Sequence, residues 1–256
     1  MADFNPTQRF TERVDAYVAA RPTYPDAIAP LLARECGLRP GATVADLGCG
    51  TGLSCVPFLR AGFAVIGVEP NEAMRAAGLQ FLAGKGNFRA VAGTAEATTL
   101  DAASVDLVIA AQAAHWFDLS RARAEALRIV RRPAAAALIW NDRDATSTEF
   151  ARHYEELLRD FGIDYEKIRH RHGAEDTVAG FFGHTGVREA TLTNPTRLDY
   201  PTLVARVNSA SYMPQAGTPT YPAMLTRLRE VFDAAHEGGK VGMDYVTRVF
   251  YGEVAG

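Results

Sequence analysis

Three alternating glycines early in the chain form the pattern with the clearest chemical meaning. Gly48-Cys49-Gly50-Thr51-Gly52 follows directly on the apolar run Val44-Ala45-Asp46-Leu47, which has the composition of a buried strand. Glycines at such a turn allow backbone conformations that are closed to other residues, and they let a ligand approach the main chain. Ligands of open α/β sheets bind at the carboxyl ends of the strands. The pattern therefore predicts a small-molecule site at the end of this strand.

An acidic residue, Glu69, ends the next apolar run about twenty residues further on. A carboxylate in that position accepts hydrogen bonds from the two hydroxyls of a ribose. A lone glutamate at a strand end is just as often a solvated side chain, but its spacing from the glycine turn predicts a nucleoside ligand. The G-x-G-x-G spacing places Leu53 where the dinucleotide fingerprint requires glycine, which disfavours a nicotinamide dehydrogenase.

The elements that must position these residues follow from hydrophobic periodicity. Short β-branched apolar runs alternate with helical stretches between residues 40 and 140, an order that predicts βαβ units on a parallel sheet. We predict strands over Ala42–Leu47, Ala64–Glu69, Phe88–Ala92, Val105–Ala110, Ala135–Trp140, Val187–Leu192 and Tyr245–Tyr251. We predict helices over Gln8–Ala20, Tyr24–Glu35, Leu53–Ala61, Asn71–Leu82 (with Asn71 as N-cap), Leu119–Arg131, Ser147–Ile168, Tyr200–Asn208 and Pro222–His236.

Length, charge and composition narrow the class of protein. The chain has 256 residues, a net charge of −3 and 48% hydrophobic residues, as expected of a globular domain with a substantial core. The charge balance lacks the basic surplus that nucleic-acid binding usually requires. Its longest apolar run, Ala134–Trp140, is far shorter than the roughly 20 residues that cross a membrane. With no export signal and three unpatterned cysteines, we expect a cytoplasmic protein with reduced thiols.

The motifs resemble those of the class I S-adenosylmethionine-dependent methyltransferases, specifically the small-molecule group (methyltransferase type 11) that includes the trans-aconitate and quinone-biosynthesis enzymes. Asp46 to Gly52 is similar to the first family motif, Glu69 to the acidic ribose ligand, and Gly93-Thr94-Ala95-Glu96 to the loop that meets the adenine amino group. The segment Gln112 to Phe117 resembles the one that borders the methionine end and the transferring methyl group.

The resemblance implies a set of site residues. Those implied for S-adenosyl-L-methionine are Arg21, Asp46, Gly48, Cys49, Gly50, Gly52, Glu69, Pro70, Ala95, Glu96 and Gln112. Arg21 belongs to an N-terminal Tyr-x-x-x-Arg-Pro-x-Tyr-Pro element and is suited to pair with the methionine carboxylate. Tyr17, Trp116, Ser211 and Tyr212 are the implied substrate-lining residues.

His115 is the candidate general base, with a structural role beside Trp116 as the open alternative. A carboxylate acceptor would need no base, whereas a protonated hydroxyl, amine or carbon acid would. No histidine or cysteine pattern predicts a metal site, because His170 and His172 lie in a basic run without a third ligand. One departure from the family is Pro133-Ala134-Ala135 in place of Pro-Gly-Gly, so that turn must use a geometry that alanine permits.

The predicted fold class is α/β, a Rossmann-like doubly wound, seven-stranded and mostly parallel sheet. We predict a single domain over 1–256, with an N-terminal helical lid (1–40), a cofactor-binding core (41–145) and a helical cap insertion (199–237). The predicted function is S-adenosylmethionine-dependent methyl transfer by in-line displacement to the carboxylate, hydroxyl or carbon of a small-molecule acceptor. We expect a monomer or homodimer with no nucleic-acid or membrane partner. The alternative is a non-enzymatic sensor or partner subunit that binds the same cofactor or its demethylated product.

Overall fold

The computed structural model describes residues 21–165, 174–183 and 186–255. Its seven strands are β1 Thr43–Leu47, β2 Ala64–Val68, β3 Phe88–Val91, β4 Leu107–Ala111, β5 Ala135–Arg143, β6 Arg188–Leu198 and β7 Val241–Glu253. They form one sheet in the order β3-β2-β1-β4-β5-β7-β6. The first five strands are parallel, and β7 runs antiparallel to both β5 and β6. The predicted Rossmann-like, mostly parallel sheet is confirmed.

Three strands extend well beyond their predicted ends. β5 continues past Trp140 because Asn141, Asp142 and Arg143 pair in register with β7, up to Arg143 opposite Tyr245. The long β6–β7 pairing extends those two strands in the same way. Backbone hydrogen bonding therefore carries the strands through polar residues at which the apolar patterns stop.

The helices are α1 Ile28–Glu35, α2 Val56–Arg60, α3 Glu72–Leu82, α4 Leu119–Ile129, α5 Glu149–Phe161, α6 Ala174–Phe182, α7 Tyr200–Ser209 and α8 Tyr221–Ala235. Asn71 is the N-cap of α3, as predicted, and its Oδ1 accepts a hydrogen bond of 3.0 Å from the backbone N–H of Met74. The sequence patterns did not predict α6. The described residues do not include the predicted helix Gln8–Ala20, Tyr17, His170 or His172.

Two apolar layers cover the parallel part of the sheet. Along β4, Leu107 and Ile109 pack into the layer that contains α1 and α2, while Val108 and Ala110 pack into the layer that contains α4 and α6. This alternation follows from the two-residue period of a strand. A third apolar cluster joins α5, α7 and α8 to β7, with Leu157, Leu203 and Leu228 fully buried. Residues 199–235 therefore pack on the end of the sheet that carries β7 and β6.

The turn before β5 uses a conformation that alanine adopts without strain, as predicted. Neither Ala134 nor Ala135 has a positive φ angle, and both are buried. Across the described residues, no helix is long and apolar enough to span a membrane.

Replacing Gly52 with alanine should destabilise the protein by about 1–3 kcal/mol. Gly52 has a φ angle of +78°, and an added Cβ would lie 2.5 Å from Cδ1 of the buried Leu82. Gly62→Ala is the matched control, because Gly62 has a φ angle of +84° but open space around its Cβ position. Urea unfolding of both variants separates the backbone effect from the packing effect. Equal losses of stability would contradict a packing role for Gly52.

Candidate functional site

The glycine turn leaves the carboxyl end of β1 in a left-handed conformation at three positions. Gly48, Gly50 and Gly52 have φ angles of +67°, +56° and +78°. The backbone N–H of Gly48 donates a hydrogen bond of 2.8 Å to the carbonyl oxygen of Val68, which attaches the turn to the end of β2. An added Cβ at Gly48 would lie 2.9 Å from Cβ of Ala113, in the segment after β4. Three strand ends thus meet at this turn, and its three left-handed glycines have the backbone conformations for which glycine was predicted.

Glu69 connects the glycine turn to helix α3. Its Oε2 accepts a hydrogen bond of 3.0 Å from the backbone N–H of Gly50, and its Oε1 accepts one of 2.9 Å from the backbone N–H of Asn71. Arg75 donates to the backbone carbonyls of Glu69 and Pro70, at 2.8 and 2.7 Å. Each carboxylate oxygen has two lone-pair positions, so these bonds leave one position on each oxygen. Glu69 therefore shapes the turn and retains two acceptor positions for a diol.

Asp46 is a fully buried carboxylate at the end of β1. Its Oδ2 accepts hydrogen bonds from Ser54 Oγ at 2.5 Å and from Cys55 Sγ at 3.3 Å. Its Oδ1 is buried and has no hydrogen-bond partner among the residues that the structure describes. Burial raises the pKa of Asp46 to about 7, and the bonds from Ser54 and Cys55 oppose that shift. A cationic ligand group near Oδ1 would satisfy this oxygen.

The loop after β3 brings Glu96 toward the segment that follows β4. Oε1 of Glu96 accepts a hydrogen bond of 2.9 Å from the backbone N–H of Asp118, and Ala95 beside it is buried. Glu125 of α4 holds this loop by accepting hydrogen bonds from both the backbone and the hydroxyl of Thr98, at 2.9 and 2.5 Å. Glu125 was not predicted as part of the site, because a charged residue on a helix normally indicates a solvated face.

The segment after β4 begins with Gln112 in a left-handed conformation, with a φ angle of +53°. Its backbone N–H donates to the Ile139 carbonyl at 2.9 Å, and its side-chain Nε2 donates to the Asn141 carbonyl at 3.0 Å. A 3₁₀ turn then carries His115 and Trp116, whose rings lie 4.8 Å apart. Trp116 is 44% exposed, an unusual degree for so large an apolar ring.

A buried polar cluster attaches the segment around Arg21 to the sheet. The backbone carbonyl of Thr23 accepts hydrogen bonds from Nδ2 of Asn141 at 3.1 Å and from Nδ2 of Asn194 at 2.7 Å. Thr247 donates its hydroxyl to Oδ1 of Asn141. The cluster joins β5, β6 and β7 to the start of the described chain, so Arg21 lies beside the edge of the sheet that carries the glycine turn. The sequence did not predict this cluster, because isolated polar residues in strands form no local pattern that indicates a tether.

Replacing Asn194 with aspartate should release this tether. Aspartate has the same shape but presents an acceptor to the Thr23 carbonyl, so we expect a loss of about 1–3 kcal/mol in the free energy of unfolding. Hydrogen exchange in a peptide covering residues 21–27 should become faster. Thr193→Ala, at the exposed neighbouring position on β6, is the control. Unchanged exchange in the aspartate variant would contradict the tether.

Two of the residues predicted on the substrate side, Ser211 and Tyr212, follow α7 and are half-buried. The Tyr212 ring lies 5.2 Å from that of Tyr165, and the Tyr212 backbone carbonyl accepts a hydrogen bond from Ile163. Burial raises the pKa of Tyr212, while the guanidinium groups of Arg143 and Arg21 oppose the shift. Tyr212 therefore lies near both Arg143 and Arg21.

Two cysteine thiols lie in or near the glycine turn. Cys49 and Cys55 are free and buried, and burial raises both thiol pKa values well above the ordinary range. The thiolate form that would make them reactive is therefore disfavoured. Within the described ranges, no three His, Cys, Asp or Glu side chains are grouped as metal ligands.

These residues fit the cofactor that the motifs implied. A nucleoside requires a diol acceptor, which Glu69 provides, and a close approach to the backbone, which the glycine turn allows. The buried unpaired Oδ1 of Asp46 suits a ligand that carries an ammonium group. The strand order reverses between β1 and β4, and ligands of such sheets usually bind at the carboxyl ends of the strands at that point.

Comparisons with known proteins support the same conclusion. Residues 45–138 match a family model described as a methyltransferase domain. An uncharacterized methyltransferase of Mycobacterium tuberculosis is 36% identical over 170 residues, which cover 63% of this chain and 62% of the relative. A methyltransferase-like protein of Schizosaccharomyces pombe is 34% identical over 149 residues, or 57% of this chain and 56% of the relative.

The matched region therefore spans less than two thirds of the length of these relatives. A solved structure of a candidate type II methyltransferase from Anaeromyxobacter dehalogenans shares the fold, with a TM-score of 0.66 at 23% identity over 91% of this chain and 98% of that one. Over residues 45–138 this chain is therefore similar to a methyltransferase domain, and its sheet has the fold of the solved structure from Anaeromyxobacter dehalogenans.

Proposed function

We propose that this protein transfers the methyl group of S-adenosylmethionine to a small-molecule acceptor. The observation that carries the proposal is the position of Glu69, whose carboxylate holds the glycine turn and keeps two acceptor positions at the end of β2. In combination with the unpaired Oδ1 of buried Asp46, this arrangement suits a nucleoside that bears a cationic amino acid group.

The cofactor-side residues divide by the part of the ligand that they would hold. Glu69 would bind the ribose, and Glu96 with Ala95 would border the adenine. Arg21 would pair with the carboxylate of the methionine part, because a guanidinium binds carboxylates through two parallel hydrogen bonds. Residues that would contact the ligand through their backbone are Gly48, Cys49, Gly50, Gly52, Pro70 and Gln112.

The chain's own contribution to methyl transfer would be positioning and exclusion of water. The bound cofactor supplies an electrophilic methyl group. Trp116 and Tyr212, together with Tyr17 and Ser211, would line the acceptor, and aromatic faces favour a group with cationic character. His115 would take up the proton of an acceptor that carries one, whereas an ionised acceptor would leave His115 with a structural role.

Methyl transfer needs a site closed to water, which the N-terminal segment and the late helices would provide. We propose that residues 1–40 form a lid, that 41–145 form the cofactor-binding core and that 199–237 form a cap over the acceptor, all within one domain. The balanced charge favours a small acceptor over a nucleic acid, and we propose a cytoplasmic monomer or homodimer.

Calorimetry with S-adenosylhomocysteine, followed by a tritium-transfer assay from labelled S-adenosylmethionine to small acids, phenols and amines, tests the proposal. We expect saturable binding and transfer to at least one class of acceptor. Binding without transfer would favour the alternative, a sensor or partner subunit. Absence of binding would overturn the proposal.

If transfer is found, His115→Gln should lower the rate of methyl transfer at neutral pH for phenols but not for acids.

A further inference from the structure

Arg143 is the last residue of β5 and lies beside the proposed methyl-transfer site. It comes two residues after Asn141, so the two side chains share a face of the strand and their Cα atoms are about 6.6 Å apart. The Asn141 backbone carbonyl accepts the hydrogen bond from Gln112, and its side chain holds Thr23. Arg143 therefore lies two residues along the strand from Asn141, which contacts both Gln112 and Thr23.

The hydrogen-bonding capacity of Arg143 is only partly used. Its Nη2 forms an ion pair with Glu155 and donates to the hydroxyl of Tyr165 at 2.8 Å. Its Nε is buried and has no hydrogen-bond partner among the residues described by the structure. A guanidinium has five N–H donors, so part of its fork remains available for an acceptor oxygen. The side chain is 17% exposed, which leaves it within reach of a ligand.

Glu155 is the carboxylate partner of Arg143, and Arg159 lies 3.6 Å from the other oxygen of the same carboxylate. The side chain of Arg159 is 46% exposed, whereas that of Arg143 is 17% exposed. Arg143 is therefore the less solvated guanidinium of the two, and a charge-assisted hydrogen bond to an anion is stronger in such surroundings.

Aromatic rings surround the same guanidinium. Arg143 lies over the ring of Tyr154, with its Cζ 5.2 Å from the centroid, and the tilted rings of Tyr165 and Tyr212 lie 5.2 Å apart beside it. Burial raises the pKa of Tyr165 to about 12, so its hydroxyl remains protonated at neutral pH. The tyrosines thus add no negative charge, and their rings provide an apolar wall for the carbon skeleton of a ligand.

We propose that Arg143, flanked by Tyr154, Tyr165 and Tyr212, binds a carboxylate group of the methyl acceptor and thereby selects small organic acids. This inference rests on the proposed function, because it names the class of acceptor for the same site. A carboxylate fits the unused donors in the same way that the Glu155 carboxylate fits the used ones. The aromatic wall favours acids with a flat or apolar skeleton.

The test compares acids with their neutral amides on protein saturated with S-adenosylhomocysteine. Benzoate, cinnamate and phenylacetate are titrated against benzamide, cinnamamide and phenylacetamide by calorimetry. We expect at least one acid to bind about tenfold or more tighter than its amide. Phenyl phosphate is a further arm, and a preference for it over every carboxylate would overturn the carboxylate assignment. Equal affinities within all pairs, or no binding by any acid, would also overturn it.

Two variants localise the effect. Arg143→Met combined with Glu155→Gln removes the ion pair as a unit, so no buried charge is left alone. We expect it to abolish the difference between acids and amides while the affinity for S-adenosylhomocysteine is unchanged. Arg159→Gln, a more exposed partner of the same carboxylate, should retain the difference. Retained acid binding in the double variant would overturn the role of Arg143, whereas failure of S-adenosylhomocysteine to bind the wild type would instead contradict the proposed function.

Discussion

Replacing Asp46 with asparagine should flatten the dependence of the ligand-free protein's stability on pH. In the folded protein burial raises the pKa of Asp46 to about 7, from 3.8 for an exposed aspartate. Below pH 3.8 the carboxyl is protonated in both states. As the pH rises toward 7 the unfolded chain ionises first, so the wild-type protein loses stability over this range. With one pKa unit worth 1.36 kcal/mol, the loss due to Asp46 approaches about 4 kcal/mol.

The measurement is urea unfolding of wild type and Asp46→Asn between about pH 4 and pH 8. The free energy of unfolding of the variant, relative to wild type, should increase with pH and level off above about pH 7. Parallel curves would contradict a raised pKa for Asp46. Glu125→Gln is the control of opposite sign, because Arg128 and Thr98 lower the pKa of Glu125 to about 2. That variant should lose stability relative to wild type as the pH rises from about 2 to about 5, so its unfolding curves are extended below pH 4.

The same titration should appear in cofactor binding. A ligand cation near Oδ1 stabilises the ionised carboxylate, so binding below pH 7 would release a proton from Asp46. We expect the affinity for S-adenosylhomocysteine to increase with pH up to about 7 and the increase to be absent in Asp46→Asn. Calorimetry in two buffers of different ionisation enthalpy measures the proton release directly.

Replacing Glu69 with alanine should weaken S-adenosylhomocysteine binding by about 1–3 kcal/mol, or roughly 5- to 150-fold. The variant loses the acceptors for the ribose hydroxyls and also the two bonds that hold Gly50 and Asn71. Glutamine would not restore the site, because its amide nitrogen would face one of those backbone N–H groups. We therefore expect Glu69→Gln to bind nearly as weakly as Glu69→Ala.

Glu72→Gln is the matched control for Glu69, since Glu72 is an exposed carboxylate in the first turn of the same helix. It should leave affinity unchanged in calorimetry. Thermal unfolding of each variant shows how much of the loss comes from the turn itself. An unchanged affinity in Glu69→Ala would remove the ribose role and with it the main support for the proposed function.

Much of the site was predictable because its signals are local. A glycine turn after a buried strand, a carboxylate at the end of the next strand and an N-cap asparagine each depend on a few neighbouring residues. The backbone of parallel strands brings their carboxyl ends to one edge, so Asp46, Glu69 and Gln112 were expected together. The left-handed φ angles at Gly48, Gly50 and Gly52 agree with the reason for predicting glycine there.

Other residues of the site have no local signal. Asn141, Asn194 and Thr247 lie on three strands and are brought together by the antiparallel addition of β7 between β5 and β6. Hydropathy ended β5 at Trp140, so it placed Arg143 outside the sheet. Only the pairing with β7 shows that Arg143 continues the strand toward the late helices.

The sequence by itself determined the fold class and the glycine turn with its acidic partner, because strand periodicity and turn chemistry are properties of adjacent residues. The tertiary structure decided three other features of the site. They are the hydrogen bonds that hold Thr23 to the sheet, the raised pKa of Asp46 and the position of the Arg143 guanidinium among tyrosines. Burial and charge balance depend on contacts between residues distant in the chain, and no local pattern encodes them.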